Sequence, residues 1–199
     1  MFDTQFTNIQ LDALKEVSNI GTGNAATALS MLLGKKVDMT VPHVQILKLE
    51  ELFKGSEETL VVGVVVRAIG DIPGNILIIF QENMAKEIVG MLTSGMSYDI
   101  NEMGTSALCE IGNILSSTYM NAISQFTGLS ISASVPALSY DMLSAILTTT
   151  FVEAGQHEEY ILNIETLFHE EEGNEIGASF YYIPAPGSIE RILKSIGMN

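Results

Sequence analysis

Basic residues are scarce in this chain. Nine Lys and Arg stand against 24 Asp and Glu, a formal net charge of −15. Nucleic-acid backbones are held by clustered Lys and Arg, and no such cluster occurs, so no nucleic-acid partner is expected. The same shortage argues against an anionic membrane surface. A protein partner carrying basic residues stays open, because a negative field steers it in. Cysteine is rarer still. Cys109 stands alone, which excludes an internal disulfide and a cysteine-built zinc site and fits a reducing compartment. Long apolar runs are also missing. LVVGVVV (60–66) and ILIIF (76–80) are too short to span a bilayer and suit buried strands. The opening MFDTQFTNIQ has neither a basic n-region nor an apolar h-region, so no signal peptide is expected. No membrane insertion is expected, and the reading is a soluble cytoplasmic α/β protein.

What is present is a repeat. Residues 12–42 align with 106–136 without a gap, at an offset of 94. Leu14 meets Leu108, Glu16 meets Glu110, Asn19 meets Asn113, Gly34 meets Gly128, Val41 meets Val135 and Pro42 meets Pro136. Further on, MAKEIVGML (84–92) corresponds in type to SIERILKSI (188–196) at an offset of 104. The second half is therefore longer, with its extra residues expected near 153–158 or 169–175, where Gly and Glu collect. Each half predicts a long helix (about 10–33 and 103–127), then strands, then a short helix (82–92 and 188–197). The strands are expected near 37–41, 44–49, 60–69 and 75–80, and again near 129–135, 143–152, 159–168 and 176–183, where Val, Ile, Phe and Tyr dominate. The fold class is α/β of the α+β kind. One domain over 1–199 is expected, with pseudo-repeats of about 10–92 and 104–197. A mainly antiparallel sheet would carry the helices in pseudo-twofold symmetry.

On a helical wheel the first long helix gathers Leu11, Leu14, Val17, Gly21, Ala25, Ala28, Leu29 and Leu32 on one side. Asp12, Glu16, Asn19 and Gly23 gather on the other. The second helix repeats this. Leu108, Ile111, Leu115, Tyr119, Ala122 and Phe126 lie opposite Ser106, Glu110, Asn113 and Ser117. A solvated face is the simple reading of any one such polar line. Three features argue against it. Asn is a poor residue inside a helix, so two of them need a reason. The neighbouring residues Gly23, Ala26 and Ser117 are small and leave the Glu and Asn tips accessible. And the pair recurs, each time followed by Pro at the same distance.

The pattern Asp/Ser-x3-Glu-x2-Asn-x22-Pro reads Asp12, Glu16, Asn19, Pro42 and again Ser106, Glu110, Asn113, Pro136. One such match arises by chance in roughly one chain per few hundred. Two at equivalent places in a repeat resemble the CheC/CheX/FliY family of chemotaxis phosphatases, and NIGTGNAATALS (19–30) is similar to the first helix of CheC and FliY. The resemblance covers essentially the whole chain. It is nearest the two-site CheC form, since CheX types carry one motif and these 199 residues leave no room for the additional FliY domain.

The resemblance implies a substrate: the response regulator CheY carrying an aspartyl phosphate. The regulator would bring its own Mg²⁺ and phosphate-binding Lys, so no cofactor of the chain's own is expected. Asn19 and Asn113 would position the attacking water, and Glu16 and Glu110 would pair with a regulator Lys. Asp12, Ser106, Gly23 and Ser117 would support docking, while Pro42 and Pro136 would shape the strand after each helix. The second site is expected to be the more active, because Gly21 and Gly23 loosen the first helix. The family also implies a CheD-like receptor deamidase as partner. The competing reading is a non-enzymatic adaptor that acts by binding CheD or a flagellar-switch partner.

Other chemistries fit poorly. His43, His157 and His169 lack metal-ligand spacing and read as solvated loop residues. HEEEGNE (169–175) lacks the alternating ligands of a calcium loop and reads as a charged loop. Gly21-Thr22-Gly23 lies inside a helix with no Lys-Ser/Thr after it, which argues against a phosphate loop and for close helix packing or partner approach. No G-x-S-x-G motif is present.

Overall fold

The computed structural model describes residues 7–48, 59–153, 160–170 and 175–198. The chain runs α1 (Asn8–Leu33), β1 (Val37–Met39), β2 (His43–Lys48), β3 (Leu60–Gly70), β4 (Gly74–Gln81) and α2 (Glu82–Leu92). It continues with α3 (Glu102–Thr127), β5 (Ile131–Ala133), β6 (Ala137–Met142), α4 (Leu143–Glu153), β7 (Tyr160–Glu170), β8 (Glu175–Pro184) and α5 (Ser188–Ser195).

Both long helices start and stop on local signals. Thr7 and Gln10 form a reciprocal capping box at the head of α1. Asn101 Oδ1 accepts from the N–H groups of Met103 and Gly104, at 3.1 Å each, at the head of α3. Gly34 (φ 62°) and Gly128 (φ 73°) end them in the left-handed conformation that a side chain resists. Four residues before each glycine, a serine ties the last turn to the chain that follows. Ser30 Oγ accepts from Val37 N–H at 2.9 Å, and Ser124 Oγ donates to the Leu129 carbonyl at 2.5 Å.

The strands form one sheet in the order β1-β7-β8-β4-β3-β5, with β2 pairing along β7 and β6 along β3. Every pairing among the described residues is antiparallel. The two halves exchange their edges. β1 and β2 from the first half flank β7 of the second, β5 and β6 flank β3 of the first, and β4 pairs with β8 at the centre.

Side chains alternate across the sheet as strand geometry requires. Val62, Val64, Val66, Ile76, Ile78, Phe80, Phe180 and Tyr182 point to one face, beneath the buried stripes of α1 and α3. Val61, Leu77, Ile79 and Ile183 point to the other, beneath Ile146, Leu147 and Phe151 of α4. No helix among the described residues is long and apolar enough to cross a membrane.

Several expectations are corrected. Residues 143–152 are not a strand but helix α4, and the strand lies just before it, at Ala137–Met142. Buried Ile146, Leu147, Thr150 and Phe151 fall at helical spacing. Thr148, Thr149 and Thr150 donate their hydroxyls to carbonyls four residues back, at 2.7–2.9 Å. Phe126, expected on the buried side of its helix, is 49% exposed. His43 lies in β2 and His169 in β7 rather than in loops, and His157 lies outside the described residues. His169 and Glu170 end β7 and Glu175 opens β8, so only 171–174 of the acidic run fall between strands. The second half was expected to carry its extra length near 153–158 or 169–175, and 154–158 and 171–174 of those stretches lie outside the described residues.

Candidate functional site

Helices α1 and α3 pack side by side on the sheet. Gly21 makes the contact close. A Cβ there would stand 2.5 Å from Tyr119 Cδ2, so only glycine lets the ring in. Tyr119 is buried against Phe180 (ring centroids 4.8 Å) and Tyr182 (6.0 Å), and its phenol pKa is raised by desolvation despite a hydrogen bond with Ser18. The glycine thus serves packing. Gly112 plays the same part beneath α3, where a Cβ would collide with Val64 Cγ1. Leu14, Val17 and Ser18 share a small apolar cavity wall with Met120, Ile123 and Ile131, so the start of α1 lies beside the end of α3. The two helices are antiparallel.

This packing fixes where the polar lines point. Gly23 follows Gly21 by two residues, about 200° around the helix. Its missing Cβ would stand 3.6 Å from Met39 Cε, on the β1 side. Asp12, Glu16 and Asn19 share that flank by steps of four, three and four residues. In α3, Ser106, Glu110, Asn113 and Ser117 stand in the same relation to Tyr119, on the flank remote from α1. The two lines therefore look outward in opposite directions, one over the β1 edge and one over the β5 edge.

Exposure follows the same order in both. Asp12, Glu16, Ser106 and Glu110 are exposed, and Asn19, Gly23, Asn113 and Ser117 are half-buried. The two amides differ in one contact. Ser117 Oγ donates to Asn113 Oδ1 at 3.5 Å, whereas Gly23 holds the equivalent place beside Asn19. Pro42 is buried and Pro136 half-buried. Each sits where the edge strand carries one residue more than its partner. From Met39 to His43 the edge advances four residues while β7 moves from Phe168 to Glu165, and from Ala133 to Ala137 it advances four while β3 moves from Ala68 to Val65. Such bulges on edge strands are where a sheet tolerates proline. Among the described residues, no group of three or more His, Cys, Asp or Glu is placed to hold a metal ion. Chemically, each flank offers an exposed glutamate carboxylate beside a carboxamide with both donor and acceptor, joined by the Asp12 carboxylate on the first flank and by the Ser106 and Ser117 hydroxyls on the second.

Comparison with known proteins places this geometry. The sequence profile of the CheC-like family matches residues 9–46 and 103–140, the segments that carry the two lines. The chain is 33% identical over 196 residues to the CheY-P phosphatase CheC of Bacillus subtilis (strain 168), covering 94% of each. This chain belongs to the CheC-like family. Solved structures share the fold. Thermotoga maritima FliY superposes with a TM-score of 0.78 at 21% identity, over 96% of this chain and 98% of that one. A chemotaxis protein CheX from Desulfovibrio desulfuricans gives 0.61 at 18%, over 85% and 99%. The family's helix-strand-strand segment is therefore present twice in this CheC-like chain, at the 94-residue offset of the repeat.

Sequence reasoning did not reach the orientation of the two lines. Met39 and Tyr119, which flank α1 on opposite sides and so set it, carry no signal in a single sequence beyond being apolar.

Proposed function

We propose that this chain hydrolyses the aspartyl phosphate of a phosphorylated CheY-like response regulator, using one outward-facing Glu/Asn pair in each half. The observation that carries the reading is the duplicated line itself: Glu16 with Asn19 and Glu110 with Asn113, accessible on equivalent flanks of two rigidly packed helices. An acyl phosphate bound by the regulator's own Mg²⁺ and Lys lacks chiefly a water held in line with the P–O bond. Phosphoryl transfer asks mainly for such positioning. The Asn oxygen accepts from the water, and its nitrogen donates to a phosphoryl oxygen. Each Glu pairs with a basic group of the regulator and fixes the docking register. Any Mg²⁺ requirement traces to the regulator.

The test is dephosphorylation of the regulator by Asn19→Ala, Asn113→Ala and the double variant. Each single change lowers the rate in part, and the double variant falls to the regulator's own rate of phosphate loss. Melting temperature stays put, because neither amide supports the core. Full activity in a folded double variant would return both lines to plain solvated faces. A CheD-like receptor deamidase is the second partner we propose, and a pull-down at micromolar concentration checks it.

A further inference from the structure

Each line of polar residues lacks something a protein–protein interface needs. Interfaces draw their affinity from a few apolar or aromatic anchors, with polar groups around them. Asp12, Glu16, Asn19 and Gly23 supply none, and neither do Ser106, Glu110, Asn113 and Ser117; the exposed Ile9 and Met103 stand on the same faces but ten residues before each Asn, about 15 Å away along the helix.

The strands beside them do. Val41 is 64% exposed and Val135 is 88% exposed. They are repeat equivalents, and each sits at the one-residue bulge that follows its motif helix. A single exposed valine needs no explanation. Two at the same repeat position, each beside a functional line, do. The bulges also hold them still. A residue before proline is confined to extended backbone. At the second bulge, Ser134 N–H donates to the Arg67 carbonyl and Ser134 Oγ accepts from Arg67 N–H, both at 2.9 Å, so the residue just before Val135 is tied to β3. The first bulge begins after Met39, whose Cε faces Gly23. It therefore lies on the flank that Asn19 occupies. By the repeat, Val135 lies on the flank of Asn113.

We infer that Val41 and Val135 are docking anchors for the phosphorylated regulator, each serving the Glu/Asn pair on its own flank. This rests on the phosphatase reading and adds residues outside the helix motif. Each valine would meet an apolar patch beside the regulator's phosphorylation site, and its burial would strengthen docking equally before and during hydrolysis. These are positioning residues, so they act on docking and not on the hydrolysis step.

The repeat supplies the controls. In an Asn113→Ala chain, where only the first site works, Val41→Ser raises KM for the phosphorylated regulator about fivefold, the loss expected for part of a buried valine. kcat stays within about twofold, as uniform binding predicts. In an Asn19→Ala chain, Val135→Ser does the same. The crossed combinations, Val41→Ser with Asn19→Ala and Val135→Ser with Asn113→Ala, leave KM at the value of their parents. Val→Ile at either position retains docking. An unchanged KM in the paired combinations, in protein whose melting temperature matches the parent, overturns the proposal. So does an equal rise in the paired and crossed combinations. Undiminished activity in the double Asn→Ala chain would instead bring down the phosphatase reading, and the anchors with it.

Discussion

An asparagine inside a helix competes with the backbone and gains nothing there, so replacing it with alanine favours the helix by a few tenths of a kcal/mol. That is why Asn19 and Asn113 stood out in the sequence, and why their loss is expected to touch activity and not folding. The ranking of the two sites changes its basis. Gly21 is filled by the Tyr119 ring, so it gives no ground for a looser first helix. The difference that remains is Ser117, which donates to Asn113 and has only Gly23 as its counterpart. An amide held by a neighbour is better preorganised. Asn113→Ala is therefore expected to remove the larger share of the rate, and Ser117→Gly to narrow the gap. Other residues were invisible from sequence. Thr166 Oγ1 is buried in β7 with no hydrogen-bond partner among the described residues, a fact set by sheet register that composition does not carry. A buried hydroxyl without a partner costs free energy that the isosteric methyl does not. Thr166→Val is expected to raise stability by about 1 kcal/mol in urea unfolding, with phosphatase activity unchanged.

At the scale of elements, the long helices and most strands were legible because their periods are clean and their caps are local. Helix α4 was not. Its LSAILTTTFV stretch is rich in β-branched and aromatic residues, which favour strands on propensity. Tertiary contact overrides this. The free face of β3 and β4 needs cover, and Asn75, 1% exposed in β4, donates to the Thr150 carbonyl at 2.9 Å and pins the helix there. That carbonyl lies in the last turn of α4, where helices leave acceptors unpaired. The packing glycines show the same dependence on neighbours. Gly112 admits Val64 Cγ1, and a methyl group would force the two apart. Gly112→Ala is expected to destabilise the fold by about 1–3 kcal/mol. Adding Val64→Ala should recover part of that loss, because it removes the atom the new methyl meets. Simple additivity of the two changes in a denaturation cycle would show that the contact is not the cause.

For the whole molecule, the repeat was plain in the sequence, but not that its halves trade edge strands. A repeat fixes which segments are alike and leaves open whether each strand pairs within its own half. Nor could it place the two sites back to back across the helix pair. Since they face opposite ways, a regulator on one flank leaves the other clear. At saturation, two regulators held in an activated form by Mg²⁺ and beryllofluoride are expected on each chain. Sedimentation would read this, and a limit of one would mean that the flanks converge. The strand exchange reaches further than architecture, to the moment of synthesis. Val37 pairs with Glu170 and Gly74 with Pro184. A ribosome adding about 5–20 residues per second needs roughly 5 to 27 seconds to cover such a gap. During that time β3 and β4 emerge as an apolar hairpin with both edges bare, the state most open to aggregation. Shielding of the nascent chain until the second half arrives is therefore expected to matter, because β3 finds the β5 and β6 partners of the finished sheet only in that second half.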